Sequence, residues 1–537
     1  NPLGNGFKLN VYVVCRRSIK TIDFNYKPDN TPIDTYDIKE SYLKTKPKII
    51  KIAKPVLNLT KILKQSKFFI PNGFMKPSTY GPRNGLLVFV MASCLASCSN
   101  KSPKNDWSNT VSNLIYTNCA PCHRENGIAP FPLTSYEQVK AKANRIRWAT
   151  QTRYMPPWPA DPEYRHFLNE RVLTQQQIEI LSEWIKNGLP RGDTAKEPPL
   201  PVFAKESFFR KPDLVLRLQH PIQLNGNGRD SFIMAKFPYR IARDTVLDFV
   251  EFVPGLKQRV HHVNGHLLSY TRPAANPFNG AEAFGDTRRN VEDLYSAMGL
   301  RYTDQNQPQF PLLTLNTVYY LPGYIPFAYP ETIGGIRLYK TGAFLLNNIH
   351  YGPSLKQQAD SSKLNVFFRA APVKRPYTEA QIGTLGLAPV IPELVIPAGV
   401  QKQFTTQIKI QKKISLLSVN PHMHQIGVYF KAYAICPSGD TVPLIRIPRW
   451  DFKWQYYYTY PHPLVLEAGT IIKAEARFDN RDENPNNPFH PPQTIRSGNG
   501  LESMTSREEM FQFIFTYLPY RPGDDTLSLQ RTFTKAH

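Results

Sequence analysis

The spacing of apolar positions changes near residue 200. Before that point they recur every three to four residues: Val111, Leu114 and Ile115 in one run, and Ile178, Leu181, Trp184 and Ile185 in another, with Gly188 and Pro190 just beyond. This spacing puts them on one helical face. It predicts a short helix from Val111 to Asn118, a second from Ser135 to about Gln151 and a third from Thr174 to Asn187. Thr194-Ala-Lys-Glu-Pro-Pro-Leu-Pro201 then reads as a linker. Beyond it the apolar runs are short, aromatic and interrupted by turn residues, in a chain of 537 residues with 49 Pro, 28 Tyr and 31 Phe. That pattern favours β-sandwiches over helical bundles, and the length exceeds what one core can organise. The expected fold class is mainly β, preceded by a small all-α domain over residues 111–195.

The N-terminal part reads as an address. Met75 is the first methionine, followed by Lys76, Arg83, the apolar run Leu86–Ala92 and Leu95-Ala-Ser-Cys98. A basic start, a short apolar stretch and small residues before a cysteine make a secretory signal over 75–97, too short for an ordinary spanning helix. The ending resembles a bacterial lipobox, so Cys98 is the expected lipidated first residue, followed by a linker over 98–110. Residues 1–74 are then expected to be a disordered start-site extension. This reading puts the protein in the bacterial cell envelope, lipid-anchored to the membrane and facing the periplasm or exterior. Much of the formal net charge of +24 falls within the first 97 residues. What remains suits acidic membranes or electron-transfer partners, and no nucleic-acid motif accompanies it, so no nucleic-acid partner is expected.

Cys119-Ala-Pro-Cys122-His123 is the sharpest chemical signal. C-x-x-C-H is the minimal pattern for covalent heme c attachment, with two thioethers to one porphyrin and the adjacent imidazole on the iron. A chance pair or a zinc site is the alternative, but no second C-x-x-C accompanies it. Met155, in Arg153-Tyr-Met-Pro-Pro-Trp158, is the expected sixth ligand, with His166 or an open position as rivals. The segment 111–195 resembles a class I cytochrome c domain of the kind fused to periplasmic copper enzymes.

The remaining chemistry lies in histidines. His261 and His262 are adjacent within a strand-like run, so both can bind one metal only if the strand is bulged or the rings use different nitrogens. His350 follows in Asn347-Asn-Ile-His-Tyr-Gly352. His422 and His424 sit at i and i+2, on one face of a strand. Met510, at the entry to the last apolar run, could add a thioether to them, with Met504 as its rival; two imidazoles and a soft sulfur suit copper better than zinc. Met423 should face away. His220, His266 and Tyr460 are expected to be surface, core or supporting residues.

An adjacent histidine pair, a distant His-Tyr-Gly, a His-x-His and a Glu-Met before the last strand resemble the copper type II ascorbate-dependent monooxygenases, in particular their bacterial branch. Asp451-Phe-Lys-Trp-Gln455 and Phe478–Pro488 carry the same likeness. It implies two jelly-roll-like β-sandwich domains, over 205–372 and 373–537, and two copper ions. His261, His262 and His350 would hold an electron-transfer copper. His422, His424 and Met510 would hold the catalytic copper, which meets dioxygen and a small-molecule substrate. An electron donor, ascorbate-like or a redox protein, completes the implied partners. The alternative is a non-catalytic haem and copper electron-transfer or copper-binding lipoprotein. In the peptide-amidating member of that family, substrate-gripping Arg and Tyr stand where this chain has Asn420 and Ile514, so a C-terminal glycine peptide is not the expected substrate.

Overall fold

The computed structural model describes residues 8–15, 18–25 and 105–531, apart from 126, 204–206, 208–209, 271–275, 305–306, 325, 327, 371 and 499–506. Cys98, the signal segment and Met504 therefore lie outside the described residues. Asn1–Cys98 forms a unit of its own. In it, Lys8–Cys15 pairs antiparallel with Ser18–Asn25, two stretches rich in β-branched strand formers; the rest of residues 1–74 lies outside the described residues.

The helical domain begins at Asp106, inside the stretch expected to be a linker. Trp107 is the reason: it is fully buried, with Tyr116, Tyr136 and Trp184 rings 5.8, 5.9 and 6.1 Å away. The helix Ser112–Asn118 leads into the cysteine motif. Where one helix was expected from Ser135 there are two, Tyr136–Ala141 and Ala143–Gln151, because Lys142 leaves helical geometry at φ −114°. Gln175–Lys186 is closed at its start by Thr174 and Gln177 in a reciprocal capping box, which satisfies two otherwise orphaned donors.

Two β-sandwiches follow. In the first, the sheet of Leu312–Tyr320, Val260–Ser269, Thr341–Tyr351, Ser231–Arg240 and Phe284–Asp286 faces a sheet of Ile336–Leu338, Thr245–Val253, Lys363–Arg369 and Leu214–Arg217. In the second, Thr378–Gly383, Phe511–Pro519, Ile414–Met423 and Tyr458–Leu466 face Gln401–Lys409, Ile471–Asp479, Gly427–Ile435 and Thr441–Ile447. All pairings are antiparallel, and apolar side chains from both sheets fill each core as sandwich packing requires. The protein is thus mainly β.

Core packing, hydrogen bonds and ion pairs join these parts. The loop after Met155 runs along the second sandwich, and Ala160 and Phe167 enter its core. Leu168 N–H donates to Thr459 O and Asp161 N–H to Arg446 O, both at 2.8 Å, while Arg446 pairs with Asp161 at 2.6 Å. Asp248 pairs with Arg369 within the first sandwich at 2.8 Å and with Arg531, from the segment after the last strand of the second, at 2.7 Å.

Candidate metal centres and the cysteine motif

The histidine pair depends on a register shift. His350 lies opposite His262, but the next residue, Tyr351, lies opposite Val260. His261 is therefore the extra residue of a β-bulge, the device that lets two adjacent side chains serve one site. The His350 ring lies 4.8 Å from that of His261 and 4.9 Å from that of His262. Gly352 makes room for this: a Cβ there would meet His261 Nε2 at 2.4 Å. His350 Nε2 bonds to Asp230 Oδ1 at 2.8 Å, and its Nδ1 is buried without a partner among the described residues.

A buried lone pair left unmatched is costly, and one held by a carboxylate on the opposite nitrogen is the usual arrangement of a metal-ligating imidazole. Asp230, His261 and His350 each bring a ligand atom within 4.8 Å of the others. Burial lowers His261 to about 4 and His262 well below the ordinary histidine value, so both rings are neutral near pH 7, the form that binds metal. The His350 carbon-nitrogen ring also stacks on Phe232, centroids 4.4 Å apart, which fixes its plane.

The second set lies on the strand Ile414–Met423 and just beyond it. His422 and His424 share one face, with rings 5.2 Å apart. Met423 points the other way, fully buried in the core. Register places His422 opposite Gln512 and Met423 opposite Phe511; carried one residue further, it sets Met510 opposite His424. His424 Nδ1 donates to Glu508 O at 2.7 Å, which leaves the lone pair on Nε2. Burial lowers His422 to about 3, against a hydrogen bond with Gln455 that opposes the shift.

Glu509 holds this set together. Its Oε2 accepts from His424 N–H at 2.9 Å and Met510 N–H at 3.2 Å, and its Oε1 from Ile426 N–H at 2.8 Å. Burial pushes its carboxyl to about 8 despite those three donors. The two imidazoles and the adjacent thioether fit copper in both oxidation states.

The two sets are not separate. The ring of Phe452 lies 5.8 Å from His262, 6.2 Å from His350 and 5.6 Å from His424. Asn420, standing where a substrate-gripping Arg was considered, is instead a structural peg: its Nδ2 donates to Gln455 O and Tyr456 O at 3.3 and 2.8 Å. Ile514 is buried. His266 is also structural, its Nδ1 accepting from Asn316 N–H at 3.1 Å; Tyr460 is fully buried and donates to Leu444 O, and His220 is exposed.

In the helical domain Cys119 and Cys122 are free thiols, and His123 N–H donates to Cys119 O at 2.9 Å, closing the motif into one turn. His123 Nδ1 bonds to Phe131 O at 3.0 Å, which assigns the lone pair to Nε2. Two thiols and an oriented imidazole within one turn fit a covalently held haem. Met155 is half-buried at the end of the preceding helix, its N–H donating to Ala149 O at 3.0 Å. His166 is not drawn into the motif: it is exposed and bonds to Glu170 at 3.1 Å. Phe452, Glu509 and Asp230 were not singled out from the sequence. Glu509 and Phe452 stood inside motifs read for their neighbours, and Asp230 lies 120 residues from the histidine it orients.

No family model and no curated protein matches the chain. Among solved structures, the infectious bursal disease virus VP2 subviral particle is 11% identical over 62% of this chain and 76% of its own, with a TM-score of 0.16. PNGF-II is 11% identical over 59% of this chain and 65% of its own, with a TM-score of 0.18. Similarity of that size bears on neither fold family nor function.

Proposed function

We propose that the protein is a haem-fused copper monooxygenase of the bacterial cell envelope. It would insert one oxygen atom of dioxygen into a C–H bond of a small molecule and release the other as water. Each turnover consumes two electrons and two protons, the electrons drawn from an ascorbate-like donor or a redox protein. The observation that carries this reading is the convergence of His262 and His350 from one sandwich and His424 from the other on the ring of Phe452.

When bound, copper would supply one-electron cycling and dioxygen activation, and haem would supply one-electron storage. The chain's own residues prepare the sites. His261, His262 and His350 offer neutral imidazoles, with Asp230 holding the proton of His350 at Nε2. His422, His424 and Met510 offer two imidazoles and a thioether, with Glu509 and the Glu508 carbonyl fixing their direction. Cys119, Cys122 and His123 would hold the haem, with Met155 as its proposed sixth ligand. Cys98 would carry the lipid; no helix among the described residues is long and apolar enough to cross a membrane.

The placement of the Phe452 ring between the two sets also suits the second reading, a haem and copper electron-transfer or copper-binding lipoprotein without turnover. Substrate-dependent oxygen consumption by the reduced, metal-loaded protein, with a metabolite screen for hydroxylated product, separates them. Two coppers and one haem iron per chain are expected; preferential zinc binding, or loading without oxygen consumption, removes the monooxygenase reading.

A further inference from the structure

We infer that Trp158 and the segment Asp451–Tyr456 form the electron conduit between the cysteine motif and the two histidine sets. The inference rests on the haem and copper reading above, and adds to it a route through named side chains.

Tyr456 is the junction. Its ring lies 5.6 Å from that of Trp158, and its hydroxyl donates to Pro157 O at 3.2 Å, so it touches the same loop that carries Met155. On its other side it stacks on Trp454, with centroids 6.3 Å apart and planes 6° from parallel. Earlier in the same segment, Phe452 reaches His262, His350 and His424. Gln455 ties the pieces together, donating to Phe452 O at 2.7 Å and hydrogen-bonding to His422. The Asn420 peg holds the backbone of residues 455 and 456 in place.

The cysteine motif opens on the same place. A Cβ on Gly323 would come within 2.8 Å of Cys122 Sγ and 2.9 Å of Arg171. Gly323, Arg171, Trp158 and Tyr456 all line one shallow, open crevice. The buried indole N–H of Trp158 has no partner among the described residues, so ring contacts rather than a hydrogen bond set its position. Trp158, Tyr456 and Trp454 are in ring contact, and the short backbone from Trp454 to Phe452, tied by Gln455, carries the path on to the histidines; an aliphatic replacement of a ring leaves gaps in that packing.

Each transfer moves one electron: ferrous haem iron becomes ferric and one cupric ion becomes cuprous. No bond forms or breaks and no proton moves along the segment. Two transfers supply one turnover, and the ascorbate-like or protein donor reduces the haem again. The segment reaches His424 as directly as His262 and His350. Charge therefore enters both sets through one segment, rather than passing first to His261, His262 and His350.

The test uses the full chain loaded with haem and cupric copper, without oxygen. After flash reduction of the haem, its reoxidation rate is followed in the parent and in Trp158→Leu, Tyr456→Leu, Trp158→Phe and Tyr456→Phe, with haem and copper content, haem spectrum and haem reduction potential measured alongside. Both Leu variants are expected to slow reoxidation by at least an order of magnitude, and both Phe variants to stay close to the parent, with metal content and potential unchanged. Trp454→Leu, at a half-buried position, gives the same readout if the buried variants fold poorly. Parent-like rates in fully loaded Leu variants would overturn the conduit while leaving the monooxygenase reading intact. A parent protein that holds no haem or no copper would overturn both.

Discussion

Glu509 accepts three backbone N–H groups with one buried carboxyl, and those N–H groups belong to His424, Ile426 and Met510. Glu509→Ala would leave three donors unmatched in the core, a loss of roughly 2–4 kcal/mol in a urea titration. It would also release the loop that aims two ligands, and outer-shell losses of this kind weaken metal affinity by roughly 10–100-fold; competition with a copper chelator measures this. Gly352 makes the opposite kind of demand, an absence of atoms. Gly352→Ala forces a Cβ to 2.4 Å from His261 Nε2, so the ring must leave its place. One copper per chain should be lost while the His422 and His424 set keeps its own, as metal analysis of the purified variant would show. Full copper content in Gly352→Ala would mean that His261 is not a ligand.

At the scale of elements, the sequence made some of this visible and hid the rest for identifiable reasons. Spacing at i and i+2 fixes a common face for His422 and His424, and the same rule sends Met423 into the core. An adjacent pair breaks the alternation of a strand, so a shared site needs either a bulge or the use of different ring nitrogens, and the register shift at His261 supplies the bulge. The helix from Ser135 was legible, but its break at Lys142 was not, since no Gly or Pro marks it. Asp230 and Phe452 escaped because their roles come from strand order: Asp230 precedes a strand paired to that of His350, and Phe452 comes from a different sandwich than two of the rings it touches. His422→Ala or Met510→Ala should abolish oxygen uptake while haem reduction by an external donor proceeds unchanged. An unaltered reduced-copper X-ray absorption spectrum in Met510→Ala would remove the thioether from the set.

At the scale of the whole molecule, the seam between the sandwiches carries charge. Glu379 accepts from the Asn316 side-chain amide and from the Tyr457 hydroxyl, and burial pushes its carboxyl from 4.5 to about 7. The folded chain thus keeps a proton that the unfolded chain releases near the ordinary value, so this group's contribution to stability falls as pH rises from about 4.5 to about 7. Glu379→Gln should remove that component: its gain in unfolding midpoint over the parent should be larger at about pH 8 than at about pH 5. An equal difference at both values would show that the carboxyl is already ionised when folded. Asp248 is held between Arg369 and Arg531; Asp248→Ala strands the buried Arg369 and should cost about 3–5 kcal/mol, read from chemical unfolding.

Ala160 and Phe167 have a further consequence. They precede the linker at residues 194–201, yet they are counted among the core of the sandwich that begins near residue 373. Covalent order and cohesive order therefore disagree, and the helical domain is no detachable passenger. A fragment starting at residue 205 would have to fold around the hollow those two side chains leave, and an exchanged donor domain would have to bring its own plug. Genes that recombine at the linker would join halves that cannot close, so the helical domain and the second sandwich are constrained to be inherited together.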